Sequence, residues 1–324
     1  MERRPLGRTG LTLPILGFGG SPLGGVYGPV DEAESTRAVR AAIDRGVDFF
    51  DVSPFYGETR AETQLGKALK GVPRDRFLLS TKVGRYGGRD FDFSPQRVLR
   101  SLDESLSRLG VEYVDILLCH DIEFVPLGPV IEETIPSLRE VMRTTGKARF
   151  LGVSGLPLAI YPAVLERTDL DVVLSYCHYT LNDTSLDTLL PYLNARGVGV
   201  INASPLAMGL LSERGAPDWH PAPPELRDAV ARAADHCRAR GADLAELAIS
   251  FSVSRPDIAT TLVGMATAED VARNADAAGR VPDPTLLAEV RAILRPVRDL
   301  SWPNGLPEND PLHQTPPGAE GDAP

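Results

Sequence analysis

Cysteine is scarce: three in 324 residues, at positions 119, 177 and 237. Three thiols make no disulfide framework and suit a reducing compartment, so a cytoplasmic location is expected. No run of about 18 apolar residues occurs, so no membrane-spanning helix is expected. The opening MERRPLGRTG is basic but has no apolar stretch behind it, and it reads as mature protein rather than a signal peptide. Positive charge is in deficit. Lys and Arg number 34 against 44 Asp and Glu, a net charge of −10, which argues against a broad nucleic-acid footprint. C-x-x-C, H-E-x-x-H and EF-hand patterns are all missing, so no metal is expected. No short repeat recurs at solenoid periods. G-x-G-x-x-G is missing as well. The run Gly17-Phe18-Gly19-Gly20-Ser21-Pro22-Leu23-Gly24 has the wrong spacing, which argues against a Rossmann fold.

What is present is an ordinary globular composition, 43% hydrophobic and 24% charged. At about 150 residues per domain the length suggests two domains, yet an α/β barrel fills the same length as one. Short apolar runs alternate with longer helical patterns. The strand candidates are Leu13–Phe18, Val47–Val52, Phe77–Lys82, Val114–Cys119, Arg149–Ser154, Asp171–Ser175, Val198–Ile201 and Thr260–Val263. Between them, apolar residues recur at helical spacing. Ala38, Val39, Ala42 and Ile43 stripe Asp31–Arg45, and Val98, Leu102, Leu106 and Leu109 stripe a helix that opens at Ser94-Pro95 with a hydroxyl cap and a proline in the first turn. Pro191 falls inside the helix marked by Leu186, Leu189, Leu190 and Leu193, and is expected to bend it.

Eight βα units with short, nearly all-apolar strands predict a parallel sheet buried on both faces. Eight is the number that closes a barrel. The expected fold class is therefore α/β, a single-domain (β/α)8 TIM barrel over residues 1–302, with an open doubly wound sheet as the alternative. Residues 303–324, rich in Pro and Gly, are expected to be a loop and a disordered tail.

Barrel enzymes build their sites at the carboxyl ends of the strands, and unusual polar residues gather there. Asp51 ends the second strand and Tyr56 follows in the loop. Lys82 ends the third strand, His120-Asp121 the fourth and Ser154 the fifth, and the seventh runs into Asn202-Ala203-Ser204. A phenol is too weak an acid for base work at neutral pH. A neighbouring ammonium favours the phenolate, an Asp holds the ammonium, and a neutral His hydrogen-bonds a substrate oxygen. Such a set suits proton transfer at an oxygen while a hydride leaves the adjacent carbon. Each residue alone has a plainer reading: Asp51 capping a turn, Lys82 solvated or paired, Tyr56 packing, His120 buried and satisfied. The conjunction points to catalysis.

These same residues resemble the aldo-keto reductase superfamily. The resemblance rests on Gly17-Phe18-Gly19-Gly20, VDFFDVSPFYG from Val47, LSTKV at Leu79–Val83, VDILLCH at Val114–His120, FLGVSG at Phe150–Gly155 and GMATAEDVARN at Gly264–Asn274, and it spans about Arg3 to Asn304. Within the superfamily the chain is similar to the sugar 1-dehydrogenases that act on L-galactose, through HDIEF, LSYCHYTLND, SPLAMGLL, WHPA and Trp302-Pro303-Asn304-Gly305. L-Fucose and D-arabinose dehydrogenases look like near relatives.

The resemblance implies a nicotinamide-dependent oxidoreductase acting on a sugar, with Tyr56 as acid/base, Lys82 and Asp51 tuning it, and His120 orienting substrate. It puts Gly19, Gly20, Asp51, Ser154, Tyr176, Ser204, Leu206, Gly264, Asp270 and Asn274 along the cofactor. Gly155 and Tyr176 stand where the family usually has Asn and Gln. Gly264 and Asp270 stand where NADP-using members have basic residues, which implies NAD over NADP, with Arg273 as the opposing consideration. The implied reaction is oxidation of the anomeric carbon of L-galactose or a related aldose to the lactone. Asp121, Tyr86, Trp219 and Trp302 are candidate readers of the sugar hydroxyls. The other readings are an NADPH-dependent general aldehyde reductase and a non-catalytic regulatory partner subunit. Expected partners are a small-molecule sugar and, at most, a few copies of the chain, with no nucleic acid and no membrane.

Overall fold

The computed structural model describes residues 1–313. Eight parallel strands close into a barrel: β3 (Leu16–Gly19), β4 (Phe49–Asp51), β5 (Leu78–Val83), β6 (Val114–Cys119), β7 (Ala148–Gly155), β8 (Val172–Tyr176), β9 (Gly199–Ala203) and β10 (Thr260–Gly264), with β10 pairing back onto β3. Helices follow the strands and shield the outer face. The open-sheet alternative is excluded by the closure.

The first strand candidate divides in two. Thr12–Pro14 (β2) pairs antiparallel with Arg3–Pro5 (β1), and only from Leu16 does the chain enter the barrel. An apolar run has no period that separates a hairpin arm from a buried strand, and Pro14 followed by Ile15 is where the direction changes. The hairpin closes the amino-terminal end. Leu6, Leu11 and Leu13 join the inner cluster of Phe49, Ile116, Leu118, Val172, Leu174, Ile201 and Leu262, and Leu6 packs on Gly199, the first residue of β9, where any Cβ would collide with it.

Helix ends follow local chemistry. The Asp31 carboxylate accepts from the Glu34 amide at the start of Glu32–Asp44, and Asp283 caps Pro284–Leu294 in the same way. Ser94 does stand before Pro95–Leu109, but its hydroxyl makes no capping bond. Pro191 does not bend a helix. A 3-10 turn at Ser185–Thr188 ends first and the helix starts anew at Leu190, which puts Pro191 in the first turn, where its missing N–H costs nothing. Residues 303–313 form a loop that returns to the barrel: the Asn309 side-chain amide donates to the carbonyls of Glu123 and Val125 at 2.9 Å each. The expected tail beyond 313 lies outside the described residues. Among the described residues no helix is long and apolar enough to cross a membrane.

Candidate active site

Strand side chains alternate in direction, so residues two apart share a face. Phe49, Ile116, Leu118, Val172 and Leu174 face inward and fill the barrel. Two residues further along the same faces stand Asp51 beyond Phe49, His120 beyond Leu118, and Tyr176 beyond Leu174. Lys82 stands beyond Ser80 on β5, and Ser154 beyond Gly152 on β7. The register agrees: Asp51 is paired with Ser80, and Ser154 with Leu174. The uppermost layer of the barrel interior is therefore polar, and the loops place the remaining groups around it.

Lys82 is 1% exposed, and its ammonium is satisfied by protein. Nζ donates to Asp51 Oδ2 at 2.5 Å and to the Val52 carbonyl at 2.9 Å, while Asp51 Oδ1 accepts from the Ser80 hydroxyl at 2.5 Å. A buried ion pair is tolerable when its remaining valences are filled in this way. Burial works against the ammonium, but Asp51 and Tyr56 more than offset it and hold the Lys82 pKa above the ordinary lysine value. The ammonium lies 4.7 Å from the centroid of the half-buried Tyr56 ring.

The expectation that Lys82 acidifies Tyr56 is half met. Lys82 lowers the phenol's pKa, but burial raises it more, and the net direction in the free protein is upward. Tyr56 thus rests as a phenol with an ammonium beside it. His120 lies edge-on to the Tyr56 ring, centroids 5.7 Å apart. Burial, then the charges of Lys82 and Arg85, push its pKa well below that of a free histidine, so the ring is neutral. Asp51, Tyr56, Lys82 and His120 thus converge from β4, β5 and the loops that follow β4 and β6.

The outer groups divide. Asp121, with φ of +51°, forms an ion pair with Arg85 and sits 3.5 Å from His120 Nε2. Its pKa is raised by burial against the pull of Arg85. Tyr86 is taken up by its own loop: its hydroxyl accepts from the Gly84 amide and Arg97 lies over its ring. Trp302 is buried against His220, while Trp219 is exposed and packs on Tyr27.

Ser154, fully buried, accepts from the Asp121 amide at 3.3 Å. Gly19 ends β3 opposite Asp51, and Gly20 has no room for a side chain, since a Cβ would fall 2.5 Å from Val52. Ser204 and Leu206 lie in the loop after β9, where Ser204, Ala207, Met208 and Gly209 all have positive φ. The curl is held by its own backbone: the amides of Ser204, Ala207 and Gly209 donate to the carbonyls of Leu262, Ser204 and Leu206. Gly264 is exposed at the end of β10, and Asn274 is buried in the helix Ala268–Ala278. A curled loop bearing Ser204, an exposed strand-end glycine and a half-buried tyrosine along one rim fit an extended dinucleotide. Asp270 is already engaged: one oxygen accepts from the Ala266 and Thr267 amides to complete a capping box, and the other accepts from Arg273 at 3.0 Å.

Two groups escaped the sequence reading. Arg85 pairs with Asp121 among the rings of Phe55, Phe91 and Phe124. Glu123 is wholly buried, and its Oε1 accepts from the Leu156 amide at 3.0 Å, from the Asn304 side chain at 2.7 Å and, at 3.4 Å, from the Tyr176 hydroxyl. Burial and then the nearby Asp121 push its pKa up to about 8. Its Oε2 lies where a side chain at Gly155 would begin, 2.5 Å from an ideal Cβ. The one available signal was the loss of a side chain at 155, which gives no hint of what fills the space. Among the described residues no group of three metal-ligating side chains occurs.

Residues 15–295 match the profile described as the aldo/keto reductase family. The chain belongs to that family. It is 50% identical over 318 residues to L-galactose dehydrogenase of Arabidopsis thaliana, covering 95% of this chain and 99% of the relative. It is 36% identical over 254 residues to D-arabinose 1-dehydrogenase of Saccharomyces cerevisiae, covering 73% and 74%. Among solved structures, an aldo-keto reductase from Bacillus halodurans in its holo form matches with a TM-score of 0.77 at 25% identity, covering 94% of this chain and 98% of that one. Like other aldo/keto reductases, this protein is an oxidoreductase that uses a nicotinamide cofactor.

Proposed function

We propose that the protein oxidises the anomeric carbon of L-galactose, or of a closely related aldose, to the lactone with NAD. The observation that carries the reading is the buried Asp51–Lys82 pair beneath Tyr56, beside a neutral His120. The likeness to a plant L-galactose dehydrogenase along nearly the whole chain supports the choice of sugar. Held along the rim by Ser154, Tyr176 and the loop after β9, an oxidised nicotinamide would supply the hydride acceptor and a positive charge that adds to that of Lys82.

The protein's own residues handle the proton and the geometry. Tyr56 takes the proton of the anomeric hydroxyl as the carbon–oxygen bond becomes a carbonyl. Lys82 stabilises the phenolate before the transfer, and Asp51 keeps Lys82 charged and pointed. His120 donates a hydrogen bond to the reacting oxygen. Asp121 and its partner Arg85 offer an acceptor and donors to the neighbouring sugar hydroxyls. Ser154, Tyr176, Ser204, Leu206, Gly264 and Asn274 line the cofactor's path.

NAD is favoured over NADP by the engagement of Arg273. A 2′-phosphate would have to win that guanidinium from Asp270 and approach a carboxylate to do so. The three cysteines are free and buried, which supports a reducing compartment such as the cytoplasm. The test is formation of NADH, followed by absorbance, with L-galactose, L-fucose and D-arabinose, repeated with NADP. Faster reduction of simple aldehydes with NADPH than oxidation of any sugar with NAD would overturn the reading.

A further inference from the structure

We propose that Ser53 is a positioning residue that fixes the tautomer of His120, so that the ring hydrogen sits on Nε2 and is offered to the reacting oxygen of the substrate. The role at the substrate rests on the function proposed above; the tautomer itself does not.

The tautomer follows from a count of hydrogens in a closed space. Ser53 lies two residues past Asp51 and is fully buried. Its Oγ has two polar neighbours. The Phe55 amide, at 3.1 Å, has only a hydrogen to give and so takes an acceptor site on the oxygen. His120 Nδ1, at 2.9 Å, either gives a hydrogen or receives one. Were Nδ1 protonated, Ser53 would accept twice, and its own hydrogen would have no acceptor within hydrogen-bond distance among the described residues. A buried donor left unpaired costs about 1–3 kcal/mol, roughly five- to 150-fold in a tautomer ratio. With Ser53 donating to Nδ1, every group is satisfied and the neutral ring carries its hydrogen on Nε2.

The other end of the ring gives an independent reason. His120 Nε2 lies 3.5 Å from Asp121 Oδ2. A carboxylate faces a ring N–H favourably and a ring lone pair unfavourably, so Asp121 selects the same tautomer. Ring rotation is restrained by the edge-on rings of Tyr56 and Phe55, 5.7 and 5.9 Å away. Exchanging Nδ1 for a ring carbon would also abandon Ser53. One short segment from the end of β4 therefore carries three duties: Asp51 holds the lysine, Ser53 sets the histidine, and Tyr56 moves the proton.

The experiment is 15N NMR of the full chain labelled at its five histidines, at neutral pH, with the His120 signals identified by their loss in His120→Gln. The expected result is a pyrrole-type Nε2 and a pyridine-type Nδ1. Ser53→Ala is expected to shift His120 toward a mixture of tautomers and to lower kcat about tenfold, the equivalent of one hydrogen bond's worth of orientation, with NAD affinity unchanged. Ser53→Thr, which keeps the hydroxyl, is expected to restore both. A protonated Nδ1 in the unaltered protein overturns the proposal, and so does a Ser53→Ala protein whose His120 signals and kcat are unchanged. If Ser53→Ala fails to fold, the unaltered spectrum still decides. If the protein oxidises no sugar while Nε2 carries the hydrogen, the functional reading fails and the tautomer assignment stands.

Discussion

The floor and the mouth of the barrel lie on the inward faces of one set of strands, two to four residues apart, with opposite chemistry. At the floor, Phe49, Ile116 and Val172 meet the hairpin residues Leu6 and Leu13 in a fully buried apolar layer. At the mouth, Asp51, Lys82 and His120 are just as buried, yet charged or polar. The floor is held by area removed from water. The mouth is held by partners: Asp51 and the Val52 carbonyl meet Lys82, and Ser53 meets His120. Stability and chemistry are therefore carried by different layers of one cylinder, and substitutions should separate them.

The largest expected effect is at the mouth. Tyr56→Phe should lower kcat by about 10²–10⁴-fold, the usual range for a lost acid/base, with NAD binding and thermal stability near those of the unaltered protein. Steady-state rates and cofactor fluorescence titration check this together. A variant keeping most of its rate would remove Tyr56 from the mechanism.

The opposite result is expected one layer down. Leu118→Ala, directly beneath His120, should cost about 2–5 kcal/mol of stability as a core truncation. Turnover per folded molecule should change far less than in Tyr56→Phe. Denaturant unfolding alongside active-site-normalised rates measures both. A large rate loss with little loss of stability would erase the division between layers.

Glu123 tests the boundary. Its pKa is raised to about 8 in the fold, from the ordinary carboxyl value, so the folded state binds the proton more tightly than the unfolded chain. Stability from this group is then fully present at acid pH below the unfolded value and is lost as pH rises toward about 8. Glu123→Gln should remove that dependence. Its melting temperature relative to the unaltered protein should rise as pH goes from about 5 to 8.5. A pH-independent difference would mean the carboxyl is charged throughout.

The smallest effect is expected at the rim, where charges are half-exposed and screened. Asp270→Arg frees Arg273 and adds a second cation, and should improve kcat/KM with NADP several-fold, more at low salt. An unchanged ratio of NADP to NAD use would leave the cofactor preference to other residues.

Much of this arrangement was legible in the chain because strand residues alternate and barrel sites lie at one end. Asp51, Lys82 and His120 stand out as polar residues closing apolar runs, and Tyr56 follows at loop distance. The hairpin was not legible, because Leu13–Phe18 has no internal mark of where pairing changes from β1 to β10. Arg85 and Glu123 were missed for another reason. Both lie in loops, where spacing does not say which way a side chain turns, and their partners Asp121 and Asn304 are far off in sequence. Asp270 was noticed as a charge at the rim, but its use as a helix cap with Arg273 is a matter of three-dimensional pairing. The net pKa direction of Tyr56 was misjudged because a sequence lists neighbours and not the depth of burial.

The hairpin over the amino-terminal end has a plain mechanical consequence. With Leu6 and Leu13 wedged beneath the strands, the cylinder is a cup and not a pipe. Under the proposed function, dinucleotide and sugar would share a single doorway, and whichever lay uppermost would detain the one below.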